Sequence, residues 1–300
     1  MPRLTMRDGH QVYVRDIGKG RPIVLLHGFG MQSSHWLPFV LPLASKYRFI
    51  LPDFRGFGLS HQTTYNQDCV LTNYAEDLDD ILSALAIDNF KLAGISMGAL
   101  AALQYQKDFG SERIEHYLHI DQSPKCTNSK KWNWGLFGAE NDARLKRAKS
   151  LIKELKPYVE NESEYAAIPA ALKSRLWSEL GDFFASALSK PSHKTLAKRI
   201  CARESLVRRI LPTDNWTAYI FCLQSYIDQK YDMTNVFKTM SIPLSIIVGL
   251  KSEMYPCGGQ LRIADYAKHG KIIPFKHSGH TPLIDQPIRF FKALGLFAAS

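Results

Sequence analysis

The most constraining stretch of this chain is Gly94-Ile95-Ser96-Met97-Gly98, set between an apolar run, Phe90 to Gly94, and a helix-forming run that opens near Met97. A strand that passes at once into a helix forces the residue at the turn into a strained conformation, and the neighbouring backbone must pass close by. Glycines two before and two after the serine remove the Cβ atoms that would collide. The serine is left on a sharp point above a helix N-terminus, where free amides and the helix dipole favour negative charge. A Gly-x-Ser-x-Gly pattern arises by chance in about one chain in ten of this length, so its context decides what it means.

That context is an alternation of strands and helices. Leu4 to Met6 and His10 to Asp16 predict two short strands around Asp8-Gly9. Pro22 to Leu26 is continuously apolar, as in a parallel strand covered on both faces, and Tyr47 to Leu51 predicts the next strand. Asn73 with Glu76 three residues on has the spacing of a capping box and predicts a helix running to about Ile87. Strands follow at Ile114–Ile120, Pro243–Gly249 and Lys271–Pro274, with helices at Gln260–Lys268 and from Pro287 onward.

Such alternation demands an α/β fold: a doubly wound, mostly parallel sheet with helices on both faces. The rhythm stops near Gln122 and resumes after Lys238. Residues 1–121 and 239–300 are therefore expected to form the core, and residues 122–238 an inserted, tryptophan-rich helical cap over the carboxyl edge of the sheet.

The net charge of +10 is concentrated in that insertion, where 20 Lys/Arg face 12 Asp/Glu. The chain has none of the usual nucleic-acid-binding signatures. A solvated helical surface accounts for the excess, and an anionic acyl carrier is the sharper expectation. Five cysteines without C-x-x-C spacing predict free thiols in a reducing cytoplasm, with no structural zinc. The first residues carry no apolar run after their basic residues, which predicts no signal peptide, and no stretch approaches the ~18 apolar residues of a membrane span.

Four motifs stand in order: His27-Gly28-Phe29-Gly30, Asp53-x-Arg55-Gly56-x-Gly58-x-Ser60, Gly94-x-Ser96-x-Gly98 and Gly279-His280. Together they resemble the α/β-hydrolase superfamily, and most of all its bacterial esterase, thioesterase and cofactor-free perhydrolase branch. The resemblance covers residues ~20–120 and ~240–295 and leaves the cap unmatched. It implies Ser96 as nucleophile, His280 as general base, and the backbone amides of Phe29 and Met97 as an oxyanion hole. It implies no metal and no cofactor, a small acyl substrate, and a structural role for the Asp53/Arg55 turn. His277 ranks below His280.

One position departs from the family pattern. The loop after the seventh strand, Gly249-Leu250-Lys251-Ser252-Glu253, carries Ser252 where the triad acid is expected. Asp121, at the end of the sixth strand, is favoured as the acid because a strand end fixes a side chain better than a loop does; Glu253 is the alternative. The expected activity is hydrolysis of a carboxylic ester or thioester. The competing expectations are a ligand-binding or sensor protein with an impaired triad, and a carbon–carbon bond hydrolase.

Overall fold

The computed structural model describes residues 3–65, 69–161, 163–210 and 215–300. Its strands are β1 (Arg3–Thr5), β2 (Gln11–Gly18), β3 (Arg21–Leu26), β4 (Tyr47–Pro52), β5 (Phe90–Ile95), β6 (Ile114–Ile120), β7 (Leu244–Gly249) and β8 (Gly270–Phe275). Before β5 lie helices α1 (Leu37–Val40) and α2 (Val70–Ala84), and α3 (Met97–Phe109) joins β5 to β6. Between β6 and β7 come α4 (Asn141–Glu160), α5 (Ala170–Ala187), α6 (Pro191–Cys201), α7 (Glu204–Ile210), α8 (Trp216–Gln229) and α9 (Thr234–Thr239). The chain then adds α10 (Cys257–Leu261), α11 (Ile263–Tyr266), α12 (Pro282–Asp285) and α13 (Pro287–Ala299).

The strands form one sheet in the order β1-β2-β4-β3-β5-β6-β7-β8. The pairs β1–β2 and β2–β4 are antiparallel and the other pairs parallel. From β3 the chain goes to β4 on one side and then crosses to β5 on the other, so the winding reverses between β3 and β5. Open α/β sheets bind ligands outside the strand ends at such a reversal. The register there pairs Leu26 with Gly94, Ile95 with Ile120, and Ile120 with Ile247. The residues that follow β3, β5, β6 and β7 consequently emerge side by side at one edge.

Because successive strand side chains point to opposite faces, the apolar runs feed two cores. Val24, Leu26, Ile50 and Leu92 pack with Tyr74 and Leu78 of α2 and Leu100 and Leu103 of α3. Ile23, Leu25, Phe49 and Ile95 pack with Phe39 of α1 and Phe290 and Leu294 of α13. Sequence expectation and structure differ at two helices. α2 begins at Val70, with Cys69 rather than Asn73 at its N-cap; Asn73 lies inside the helix and its side-chain amide donates to the Cys69 carbonyl, 3.2 Å. The stretch expected as one helix from Gln260 to Lys268 is instead the short pair α10 and α11.

Among the described residues between β6 and β7 there is no strand of the sheet; an isolated bridge between Lys125 and Asp232 ties the segment's ends, and a second, between Ser129 and Trp132, closes a local turn. No helix among the described residues is long and apolar enough to cross a membrane. All five cysteines are free thiols.

Candidate active site

Ser96 lies between β5 and α3 with φ 53° and ψ −121°, a conformation that L residues rarely adopt. The helix holds it there, since the amides of Ala99 and Leu100 donate to the Ser96 carbonyl while the Ser96 amide donates to Ile120 of the neighbouring strand. The two glycines have the steric role read from the sequence. A Cβ on Gly94 would collide with the Gly98 carbonyl, and a Cβ on Gly98 with the carbonyls of Leu26 and His27.

The loop after β3 lies against the elbow: a Cβ on Gly28 would touch the Ser96 Cβ at 3.4 Å. Among the described residues no hydrogen-bond partner meets the amides of Phe29 or Met97. The buried His27 side chain pins this loop. Its Nε2 accepts from the Phe54 amide at 3.0 Å, so Nδ1 carries the proton and donates to the Gly28 carbonyl at 2.8 Å. Burial pushes the His27 pKa down to about 4, outweighing the attraction of Asp53. The Phe29 ring is held by Phe183, Tyr219 and Phe57, with centroids 5.0, 5.5 and 5.7 Å away.

His280 follows β8 in the loop before α12 and is buried. Its Nδ1 lies 2.9 Å from Asp121 Oδ1, and a carboxylate only accepts, so Nδ1 is the donor, and in the neutral ring the lone pair sits on Nε2. Asp121 is fully buried at the end of β6 with a positive φ of 42°. Four donors surround its carboxylate. Oδ2 accepts from the Gly249 amide at 2.7 Å, and Oδ1 accepts from Ser252 Oγ at 2.8 Å and Gln260 Nε2 at 3.1 Å, besides His280.

Glu253 lies elsewhere: its side chain is 62% exposed and pairs with Lys194 at 2.5 Å. His277 is exposed, and its amide donates to the Gln286 side chain. Asp53 accepts from the Ser33 and Leu59 amides, and Arg55 is buried against Asp77 and Asp8, so both residues serve the turn.

Reading the sequence did not give the roles of three of these residues. Ser252 signalled itself only by standing where an acid was expected; its hydroxyl holds Asp121. Gln260 reaches the same carboxylate from α10, and no local pattern marks it. His27 was legible as a motif residue, with nothing to show which carbonyl it would grip.

Ser96 and His280 line one cavity of about 600 Å³. Its walls are Phe29, Phe39, Phe183, Phe184, Leu188 and Leu283, among others, and none of its lining residues is Asp, Glu, Lys or Arg. Beside Ser96 lies a second, much smaller apolar space of about 20 Å³. The described residues contain no cluster of His, Cys, Asp and Glu arranged to hold a metal.

A mostly parallel sheet, a strained serine between its fifth strand and the next helix, and a buried His–Asp pair delivered by later loops define the α/β-hydrolase fold. Comparison with known proteins agrees. The family model for the α/β-hydrolase fold matches residues 21–145.

The chain is 39% identical over 105 residues to a putative non-heme chloroperoxidase of Synechocystis sp., a match spanning 35% of this chain and 37% of that protein. It is 32% identical over 121 residues to a pimeloyl-[acyl-carrier protein] methyl ester esterase of Legionella pneumophila, spanning 40% and 46%. The chain thus matches less than half the length of these relatives. An esterase structure from Exiguobacterium antarcticum superposes with a TM-score of 0.77 at 21% identity, covering 99% of both chains.

Proposed function

We propose that this protein is a serine hydrolase that cleaves a carboxylic ester or thioester through an acyl-enzyme on Ser96. The observation that carries the reading is the His280–Asp121 hydrogen bond, which leaves His280 Nε2 free as a base in the cavity that Ser96 also lines.

In this reading His280 takes the Ser96 proton as Oγ attacks the carbonyl carbon. The amides of Phe29 and Met97 hold the oxyanion, each typically worth about 3 to 4 kcal/mol of transition-state stabilisation. His280 then returns the proton to the leaving oxygen or sulfur, and a water activated by the same base releases the acid. Asp121 keeps the His280 tautomer and stabilises the imidazolium. Its own position is set by Gly249, Ser252 and Gln260. Residues 122–238 act as the cap: Leu136, Phe183, Phe184 and Tyr226 from that segment wall the spaces beside Ser96. The chemistry needs no metal or cofactor.

The test is turnover of p-nitrophenyl esters and acyl thioesters by the wild type and Ser96→Ala, with intact-mass detection of the acylated protein. Hydrolysis abolished in Ser96→Ala, with acyl mass trapped on Ser96, supports the reading. A protein that binds esters without turnover would be the sensor, and one that turns over only carbon–carbon substrates would be the other hydrolase.

A second reading, an acyl donor presented on an acidic carrier protein, is favoured by the pimeloyl relatives. Lys146, Lys149 and Lys153, exposed on α4, would supply the complementary charge.

A further inference from the structure

The two spaces beside Ser96 are unequal in size and in what they touch. The larger, about 600 Å³, is lined by His280 and Thr281, and it extends to Ile284, which is 49% exposed and marks its mouth. The smaller, about 20 Å³, is lined by Ser96 and Phe29 but not by His280. It is closed by Leu136, Leu223, Tyr226 and Tyr255. A space needs roughly 10 to 15 Å³ on this measure to hold a single water. The smaller one therefore accommodates about one methyl-sized group.

The chemistry orients a substrate between them. In acylation the bond from the carbonyl carbon to the alcohol oxygen breaks as the bond to Ser96 Oγ forms. The proton taken from Ser96 passes through His280 to the departing oxygen, so the alcohol must leave on the side where His280 stands. That is the larger space. The acyl substituent points the other way, into the smaller one.

Resting on the reading of Ser96 as the acylated nucleophile, we infer that the preferred substrates are uncharged acetate esters of bulky, apolar alcohols. The wall of the small space sets this acyl limit. Leu136, Phe183, Leu223 and Tyr226 line the small space on one side and, on the other, a further space of about 40 Å³ that reaches Arg144 and Glu179. Leu223, half-buried on α8, is the specificity-determining residue whose truncation joins the two. The absence of any fully charged side chain around the larger cavity selects a neutral alcohol, because an ion there would lose its hydration without a partner.

The test uses two isomers with similar intrinsic reactivity, cyclohexylmethyl acetate and methyl cyclohexylacetate, which exchange the bulky and the small group across the same ester. The expected kcat/KM ratio favours the acetate by about 100-fold, the scale on which a tight apolar pocket rejects excess methylenes. Among cyclohexylmethyl esters, acetate should exceed hexanoate by a similar factor. Leu223→Ala should narrow the acetate-to-hexanoate gap by at least about tenfold. A wild type that prefers methyl cyclohexylacetate, or that accepts hexanoate as well as acetate, overturns the inference and leaves the serine-hydrolase reading standing. An unchanged chain-length profile in a folded Leu223→Ala protein overturns the assignment of the wall. Hydrolysis of neither isomer, with Ser96 unlabelled by a fluorophosphonate, removes the serine-hydrolase reading and this inference with it. The wild-type comparison decides the matter even where Leu223→Ala does not fold.

Discussion

Replacing Asp121 with Asn keeps the shape of the side chain and changes its charge and its accepting capacity. In the structure both carboxylate oxygens face donors: Oδ2 meets the Gly249 amide, and Oδ1 meets Ser252, Gln260 and His280. An amide has one oxygen and one NH2, so either orientation of the introduced side chain sets an NH2 against a donor. The less costly orientation turns the NH2 toward Gly249, leaving one fixed, buried N–H unpaired at about 1–3 kcal/mol. His280 then keeps a neutral acceptor and loses the charge that stabilises its imidazolium. The other orientation presents the NH2 to His280 and forces the wrong tautomer.

Either outcome should lower kcat by about 10⁴, the loss known when a triad acid becomes its amide, or about 5.4 kcal/mol at 1.36 kcal/mol per factor of ten. Steady-state kcat on a short-chain p-nitrophenyl ester, paired with urea unfolding, separates the small stability cost from the large catalytic one. Glu253→Gln serves as the control. Its exposed pair with Lys194 is worth ~0–1 kcal/mol, so both measurements should hardly move. A folded Asp121→Asn protein that keeps a tenth or more of kcat, or a Glu253→Gln protein that loses as much as expected of Asp121→Asn, would refute the reasoning.

Three further outcomes are expected. Because Ser252 Oγ lies 2.8 Å from the Asp121 oxygen that holds His280, adding Ser252→Asp to Asp121→Asn should recover one to two orders of magnitude of the ~10⁴-fold loss, read as kcat; no gain would mean that a carboxylate at 252 does not reach the ring. His27 and His119 are buried with pKa values pushed from 6.5 down to about 4 by burial, so between those values the unfolded chain binds more protons and stability should fall as pH drops from 6.5 toward 4, by up to ~3 kcal/mol per residue; urea midpoints at pH 7.5, 5.5 and 4.5 check this, and His27→Gln should flatten the slope. If an acidic carrier docks on the lysines of α4, kcat/KM for a carrier-bound acyl donor should drop steeply between low and 0.3 M salt while a neutral ester is unaffected, since exposed charges are screened beyond about 10 Å at 0.1 M; parallel salt curves would leave those lysines as solvated surface.

What could be read from the chain alone was whatever is decided within a few residues. The elbow is such a case: the close passage of Gly94 past Gly98 follows from the strand-to-helix turn itself. So do the continuous apolar runs of β3, β5 and β7, which suit strands buried on both faces, and the closing helix opened by Pro287. Helix starts were less legible. The Asn73/Glu76 spacing marks a cap only where the chain leaves helical geometry, and the packing of Val70 and Leu71 into the core continues the helix one turn further back.

The surroundings of His280 belong to another scale. The four groups that meet Asp121 come from positions 249, 252, 260 and 280, more than a hundred residues along the chain, and they converge because parallel strands in register bring their carboxyl ends to one edge. The same register sends Glu253, one residue beyond Ser252, outward to Lys194. The spaces beside Ser96 are bounded by Phe29 after β3, Phe183 on α5, Leu223 on α8 and Met254 after β7. A volume enclosed by four segments so distant in sequence has no local signature, because no spacing within one segment constrains how near the others come.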